Sequence, residues 1–79
     1  MIHIEVLGPG CQKCDVLYRH AEQAARELGI EYEIEKITDI TAIMGYGIMS
    51  TPGVVIDGKV VHAGGVPSRD KIEQWLAAA

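Results

Sequence analysis

The two cysteines of this 79-residue chain, Cys11 and Cys14, lie where an apolar segment is followed by a helical pattern. The apolar segment, Ile2–Leu7, has hydrophobic residues on both faces, which is typical of a central strand. After the cysteines, apolar residues recur at helical spacing up to Gly29. Residues i and i+3 of a helix have α-carbons about 5 Å apart, within the ~4.4–6.8 Å range of a disulfide. The pattern predicts a strand that delivers a thiol pair to a helix start, which suits reversible disulfide chemistry.

The composition predicts one folded domain over residues 1–79. Hydrophobic residues make up 48% of the chain, which supports a core and argues against disorder. A disulfide across two intervening residues constrains the unfolded chain very little, so the pair is valuable for its reactivity or as ligands. The net charge of −4 comes without a Lys/Arg cluster, so nucleic acid and membrane surfaces are poor partner candidates. With no signal peptide or membrane span in the sequence, we expect a cytoplasmic protein. We also expect it to be a monomer.

Periodicity and turn residues predict the elements that follow the first helix. Ile30–Glu35 alternates apolar and acidic residues, as an edge strand with one exposed face does. Thr38 or Asp39 can cap a short second helix. We expect that helix to bury three apolar side chains: Ile40, Ile43 and Met44.

The last third of the chain carries a hairpin signal and a closing helix. Asp57-Gly58-Lys59 separates two short apolar runs, and Asp-Gly supplies the positive φ angles of a tight turn. Ser68 can cap a final helix whose apolar stripe is Ile72, Trp75 and Leu76. The order βαβαββα predicts an α/β domain with a four-stranded mixed sheet between helices.

The positions of the two cysteines predict different roles for them. A thiolate, not a thiol, attacks a disulfide, so the attacking cysteine needs a lowered pKa. Cys11 lies at or beside the helix start, where unpaired N–H groups favour an anion, and Lys13 adds a positive charge. Cys11 is therefore the expected nucleophile. Cys14, one turn further on and more buried, is expected to resolve the mixed disulfide.

The same pair admits other interpretations. Two thiolates at this spacing can hold Cu(I) or half of a Zn(II) site, although a closed zinc site needs two more ligands. The cysteines can also be small buried hydrophobic residues. In a third alternative, the protein is a redox-responsive binding module whose partner reads the oxidation state without being reduced. We expect disulfide exchange, with no metal and no cofactor other than the redox-active Cys11–Cys14 disulfide.

Two segments of the chain resemble the thioredoxin-fold superfamily in its smallest, glutaredoxin-sized form. They are residues 8–14, which contain the cysteine pair, and residues 46–61, which contain Thr51-Pro52 and the hairpin. The chain looks closer still to the small thioredoxin-like redox-active disulfide proteins of bacteria and archaea. The resemblance implies a minimal thioredoxin fold and a protein disulfide oxidoreductase. Its partners would be protein disulfide substrates and a disulfide reductase, which the sequence does not identify.

The resemblance also implies a substrate-binding loop after the second helix. Pro52 matches the cis-proline that faces the active cysteines in thioredoxin-like folds, and the backbone of Thr51 would pair with an extended substrate segment. Tyr46 and Met49 would form an apolar rim around Cys11. Their alternative roles are packing at a helix end for Tyr46 and filling of the core for Met49.

The motif departs from the best-known branches of the superfamily. Thioredoxins have tryptophan before the first cysteine and Gly-Pro between the two, and glutaredoxins have Pro-Tyr, whereas this chain has Gly10 and Gln12-Lys13. The reduction potential and the reductase are therefore left open. Thioredoxins also keep a buried acid six residues before the first cysteine, as a proton acceptor for the second. Glu5 stands there, although a solvated strand face is the interpretation that its residue type favours.

Overall fold

The structure, a computed structural model, describes residues 1–10 and 12–78. Predictions on Cys11 lie outside the described residues. Seven elements follow one another as β1 (Ile2–Leu7), α1 (Gln12–Leu28), β2 (Tyr32–Ile37), α2 (Ile40–Gly45), β3 (Gly53–Ile56), β4 (Lys59–Ala63) and α3 (Arg69–Ala78). This is the predicted order βαβαββα. Among the described residues, no helix is long and apolar enough to cross a membrane.

The four strands form one mixed sheet in the order β2-β1-β3-β4. β1 is parallel to β2 and antiparallel to β3, so it is central and β2 is an edge strand, as their patterns predicted. Leu7 at the end of β1 pairs with Gly53 at the start of β3. The turn before α1 and the loop before β3 therefore meet at the same end of the sheet.

Helices cover both faces of the sheet, which gives three layers. On one face, alternate residues of β1 pack against α1 and α3 in a cluster that includes Ile4, Leu17 and Ile72. On the other face, Leu7 and Val55 pack against Ile43 of α2. Each fully buried aliphatic side chain contributes about 1.5–3 kcal/mol relative to an exposed one. The fold is therefore a small α/β sandwich with both faces of the sheet buried.

The hairpin between β3 and β4 has the turn that its residues predicted. Asp57 and Gly58 both have positive φ, at 50° and 82°, as a type I′ turn requires. Asp57 also fastens the turn to β1, because its N–H donates to the carbonyl of His3 and its carboxylate accepts from the His3 N–H, both at 2.9 Å.

Two predictions about local structure were wrong in detail. β2 begins at Tyr32 rather than Ile30, because the Ile30 N–H still bonds to the carbonyl of Ala25 at the end of α1. α2 is capped by Asp39, whose carboxylate accepts from the Thr41 N–H at 3.0 Å, but Ile43 is its only buried residue. Ile40 and Met44 are 58% and 69% exposed. A helix of six residues makes fewer than two turns, so it covers a small area of the sheet.

Candidate functional site

Cys14 lies in the first turn of α1, at the end of the sheet where β1 finishes. Its side chain is 3% exposed, and its sulfur is disulfide-bonded. Burial of this cysteine is as predicted for the resolving position. Cys11, the predicted nucleophile, lies outside the described residues. The two residues between the cysteines, Gln12 and Lys13, are exposed.

Gly8 lies directly against the sulfur of Cys14. A Cβ at position 8 would collide with the Cys14 Sγ and would lie 3.1 Å from the Cys14 Cβ. The Gly8 N–H donates to the carbonyl of Ile37 at 2.9 Å, which holds this backbone in place. From the sequence alone, Gly8 is expected to be only part of a Gly8-Pro9-Gly10 turn. A glycine at the end of a strand is also a signal of close approach, and that signal identifies Gly8 as part of the site.

The loop before β3 comes to the same end of the sheet. The Thr51–Pro52 peptide bond is cis, the isomer that the resemblance implied. Pro52 is less than 2% exposed, and its carbonyl accepts from the Gly64 N–H at 2.9 Å. Thr51 is exposed. The next residue, Gly53, pairs with Leu7, so this loop and the Gly8–Cys14 contact are joined through one strand pair.

The structure separates the two residues predicted to form an apolar rim. Met49 is 100% exposed, so it does not fill the core. Tyr46 caps the C-terminus of α2 with its N–H and packs beside Leu7, Ile43 and Val55. Tyr46 therefore has the helix-end packing role, while contact of Met49 with a substrate stays a prediction.

Glu5 is buried, and the preference for a solvated strand face was wrong. It is 8% exposed, and the Tyr46 hydroxyl donates to its Oε2 at 2.6 Å. This hydrogen bond to the carboxylate of Glu5 raises the pKa of Tyr46. Alternate residues of β1 point to the α2 side of the sheet, and the end of α2 covers that side at Glu5. The cover comes from a residue 41 positions away, which strand periodicity cannot indicate.

His3 lies beside Glu5 on the same side of the sheet and faces two glutamates of β2. The hydrogen bond to Glu35, followed by the negative charges of Glu35, Glu5 and Glu33, raises the pKa of His3. From the sequence alone, His3 is expected to be an ordinary surface or strand residue. The grouping of His3 with Glu33 and Glu35 follows from the parallel register of β1 and β2, which pairs residues 3 and 33.

Comparison with known proteins places this architecture in a family. Residues 2–77 match a family model described as a thioredoxin domain. The chain is 36% identical over 77 residues to a thioredoxin of Methanothermobacter thermautotrophicus, which covers 98% of this chain and 100% of the relative. It is 40% identical over 76 residues to a thioredoxin of Methanocaldococcus jannaschii, covering 96% of this chain and 87% of the relative. This chain belongs to the thioredoxin family.

Membership of the thioredoxin family agrees with the predicted fold and with the predicted class of activity, that of an oxidoreductase. The chain is a thioredoxin-fold redox protein and an oxidoreductase of the thioredoxin type. The four-stranded mixed sheet and three helices are those of a minimal thioredoxin fold.

Proposed function

We propose that this thioredoxin-family protein catalyses thiol–disulfide exchange with protein substrates, using Cys11 and Cys14 as its redox couple. The observation that carries the proposal is the buried, disulfide-bonded Cys14 at the start of α1, held against the backbone of Gly8. A sulfur in this position is shielded from contact with a substrate protein. It suits the second, intramolecular step of exchange rather than the first.

The proposed cycle has two exchange steps. The Cys11 thiolate attacks one sulfur of the substrate disulfide, which forms a mixed disulfide and releases one substrate thiolate. The Cys14 thiolate then attacks the Cys11 sulfur, which closes the Cys11–Cys14 disulfide and releases the second substrate thiolate. Two electrons pass from the dithiol to the substrate, and the released thiolates take up protons. A separate disulfide reductase returns both electrons to the pair.

Of the two charged residues predicted to tune the thiols, Lys13 and Glu5, only Lys13 is part of the proposed mechanism. Lys13 is exposed between the cysteines, where its positive charge favours a thiolate. Glu5 is a buried carboxylate on the strand that leads to Gly8, but its side chain lies on the α2 side of the sheet, away from α1, so we assign it no proton transfer with Cys14. On that side of the sheet the Tyr46 hydroxyl donates to the Glu5 carboxylate at 2.6 Å.

The substrate is proposed to bind along the loop before β3. An extended segment would pair with the backbone of exposed Thr51, beside buried Pro52. Met49, fully exposed in the same loop, offers an adaptable apolar contact. The contact would be transient and at the small end of interface sizes, below about 1,200 Å² in total.

Trapping of the mixed disulfide tests the two-step mechanism. Cys14→Ser should keep the first step and lose the second, so it should accumulate a covalent complex with a disulfide-containing protein such as insulin. Cys11→Ser should form none and should lose turnover, because the nucleophile is absent. Non-reducing electrophoresis with mass spectrometry of the linked peptides measures both outcomes.

The trapping experiment has a built-in control, since each variant keeps one cysteine. Equal trapping by both variants would contradict the assignment of roles to the two positions. Absence of any covalent complex with Cys14→Ser would contradict exchange through a mixed disulfide.

A further inference from the structure

A histidine and two glutamates meet on the α2 side of the sheet, away from the thiol helix. We call His3, Glu5 and Glu35 the His3 cluster. The parallel register of β1 and β2 places His3 opposite Glu33 and Glu5 opposite Glu35. Two like charges directly opposite each other destabilise a sheet, so a positive charge between Glu5 and Glu35, from a protonated His3 or from a bound cation, stabilises the pair.

The distances in the His3 cluster suit a shared cation. The Nε2 of His3 lies 3.3 Å from the Glu35 Oε1 and 3.9 Å from the Glu5 Oε1. One ligand atom from each of the three residues lies within 4.8 Å of the other two. An imidazole nitrogen with two carboxylate oxygens is a donor set for first-row divalent metals, Zn²⁺ among them.

The position of Glu5 is fixed independently of Glu33 and Glu35, because Tyr46 at the end of α2 holds its carboxylate. Glu5 is 8% exposed, and its Oε2 is bonded to Tyr46. Among the described residues, the polar neighbour of its Oε1 is His3 Nε2 at 3.9 Å, beyond hydrogen-bond distance. The carboxylate of Glu5 is thus held by Tyr46 through one oxygen, while the other oxygen faces the imidazole of His3.

The surroundings of the histidine also fit metal binding. The Nδ1 of His3 lies 3.5 Å from a carboxylate oxygen of Glu33. Metal-binding histidines usually have their second ring nitrogen held by a carboxylate or carbonyl, which orients the ring. The side chains of His3 and Glu35 are 40% and 53% exposed, so water can reach the remaining coordination positions.

We propose that His3, Glu5 and Glu35 bind one divalent transition-metal ion, through the imidazole Nε2 and one oxygen of each carboxylate. The site uses neither cysteine, and it does not depend on the proposed exchange reaction. Its ligands come from adjacent strands of the sheet, so the ion would hold the edge strand β2 to the central strand β1.

Titration with Zn²⁺ tests the site directly. The full chain is used in its disulfide form, in which thiolates are not available to bind metal, and isothermal calorimetry follows the addition of zinc chloride. We expect one saturable ion per chain. Glu35→Gln and His3→Gln should each weaken binding at least about tenfold, since even loss of a supporting residue costs 10–100-fold.

Two matched variants separate a built site from general attraction to an acidic chain. Glu31→Gln removes the same charge from an exposed position just before β2, and His20→Gln removes an imidazole on α1. Both should leave the zinc affinity unchanged. Circular dichroism checks that every variant is folded. If His3→Gln does not fold, the zinc affinity of Glu35→Gln decides the test, because Glu35 is exposed.

The outcomes that overturn the proposal are specific. They are the absence of saturable zinc binding by the oxidised chain, full affinity in Glu35→Gln, and equal weakening by Glu31→Gln and Glu35→Gln. The last result would mean that the acidic surface attracts zinc without a defined site.

Discussion

At Gly8 the backbone of β1 approaches the sulfur of Cys14 so closely that a side chain has no room. We expect Gly8→Ala to destabilise the oxidised protein by about 1–3 kcal/mol, the usual cost of overpacking a tight site. The disulfide holds the Cys14 sulfur, so the collision must move the end of β1 or the start of α1. Urea unfolding of the oxidised protein measures the change in the free energy of unfolding.

Gly45 provides the matched control at the residue scale. A Cβ there would meet nothing within 4 Å, and Gly45 is not among the glycines with positive φ. Gly45→Ala should therefore be neutral or slightly stabilising, because alanine is the better helix former. A Gly8→Ala protein as stable as Gly45→Ala would show that the contact with Cys14 carries no constraint.

Among the elements, α1 and the edge strand β2 are tied by an exposed ion pair. The Lys36 ammonium lies 2.6 Å from the Asp15 carboxylate, and its hydrogen bond and charge lower the pKa of Asp15. A group whose pKa is lowered by folding stabilises the fold above its unfolded pKa, and this contribution is lost as the pH falls through the folded value. Since both groups are exposed, the effect is small.

The prediction for this pair is a pH-dependent difference between wild type and Asp15→Asn. At neutral pH the variant should be slightly less stable, and the difference should shrink as the pH falls through the folded pKa of Asp15. Urea unfolding at a series of pH values measures it, with Glu31→Gln as a control for loss of an exposed acidic charge. A difference that stays constant down to strong acid would contradict a titrating ion pair.

The local sequence predicted the position and burial of some elements better than those of others. The buried position of β1, the edge position of β2 and the β3–β4 turn followed from local patterns, as for Asp57 and Gly58 with their positive φ angles. The burial of α2 did not follow. Its apolar residues fit a helical stripe, but a helix of six residues covers too little of the sheet to bury more than Ile43.

For the whole molecule, the candidate site is a product of the topology. The end of β1 and the start of β3 share one end of the sheet through the Leu7–Gly53 pair, and Cys14 lies against Gly8 at that end. The cysteine motif and the cis-proline loop are far apart in the chain, and the antiparallel pairing of β1 with β3 brings their elements together.

The reduction potential of the Cys11–Cys14 pair tests the molecule as a redox protein. We expect one two-electron transition between about −180 and −300 mV, the range of thiol–disulfide exchange catalysts. Equilibration in graded dithiol buffers, followed by mass counting of alkylated thiols, measures it. A pair that never closes, or that closes only after metal is removed, would contradict the exchange function and favour the Cu(I)- or Zn(II)-binding alternative.

The sequence by itself determined the fold class, the order of elements and the cysteine pair at a helix start, because these depend on periodicity, turn residues and spacing within short segments. Only the tertiary structure decided the burial of Glu5, the contact of Gly8 with Cys14 and the grouping of His3 with Glu35. Each of these depends on strand register or on cover by a distant residue, such as Tyr46 over Glu5. Local pattern carries no information about which distant side chain fills the space above a strand, and that choice sets the chemistry of the buried carboxylate.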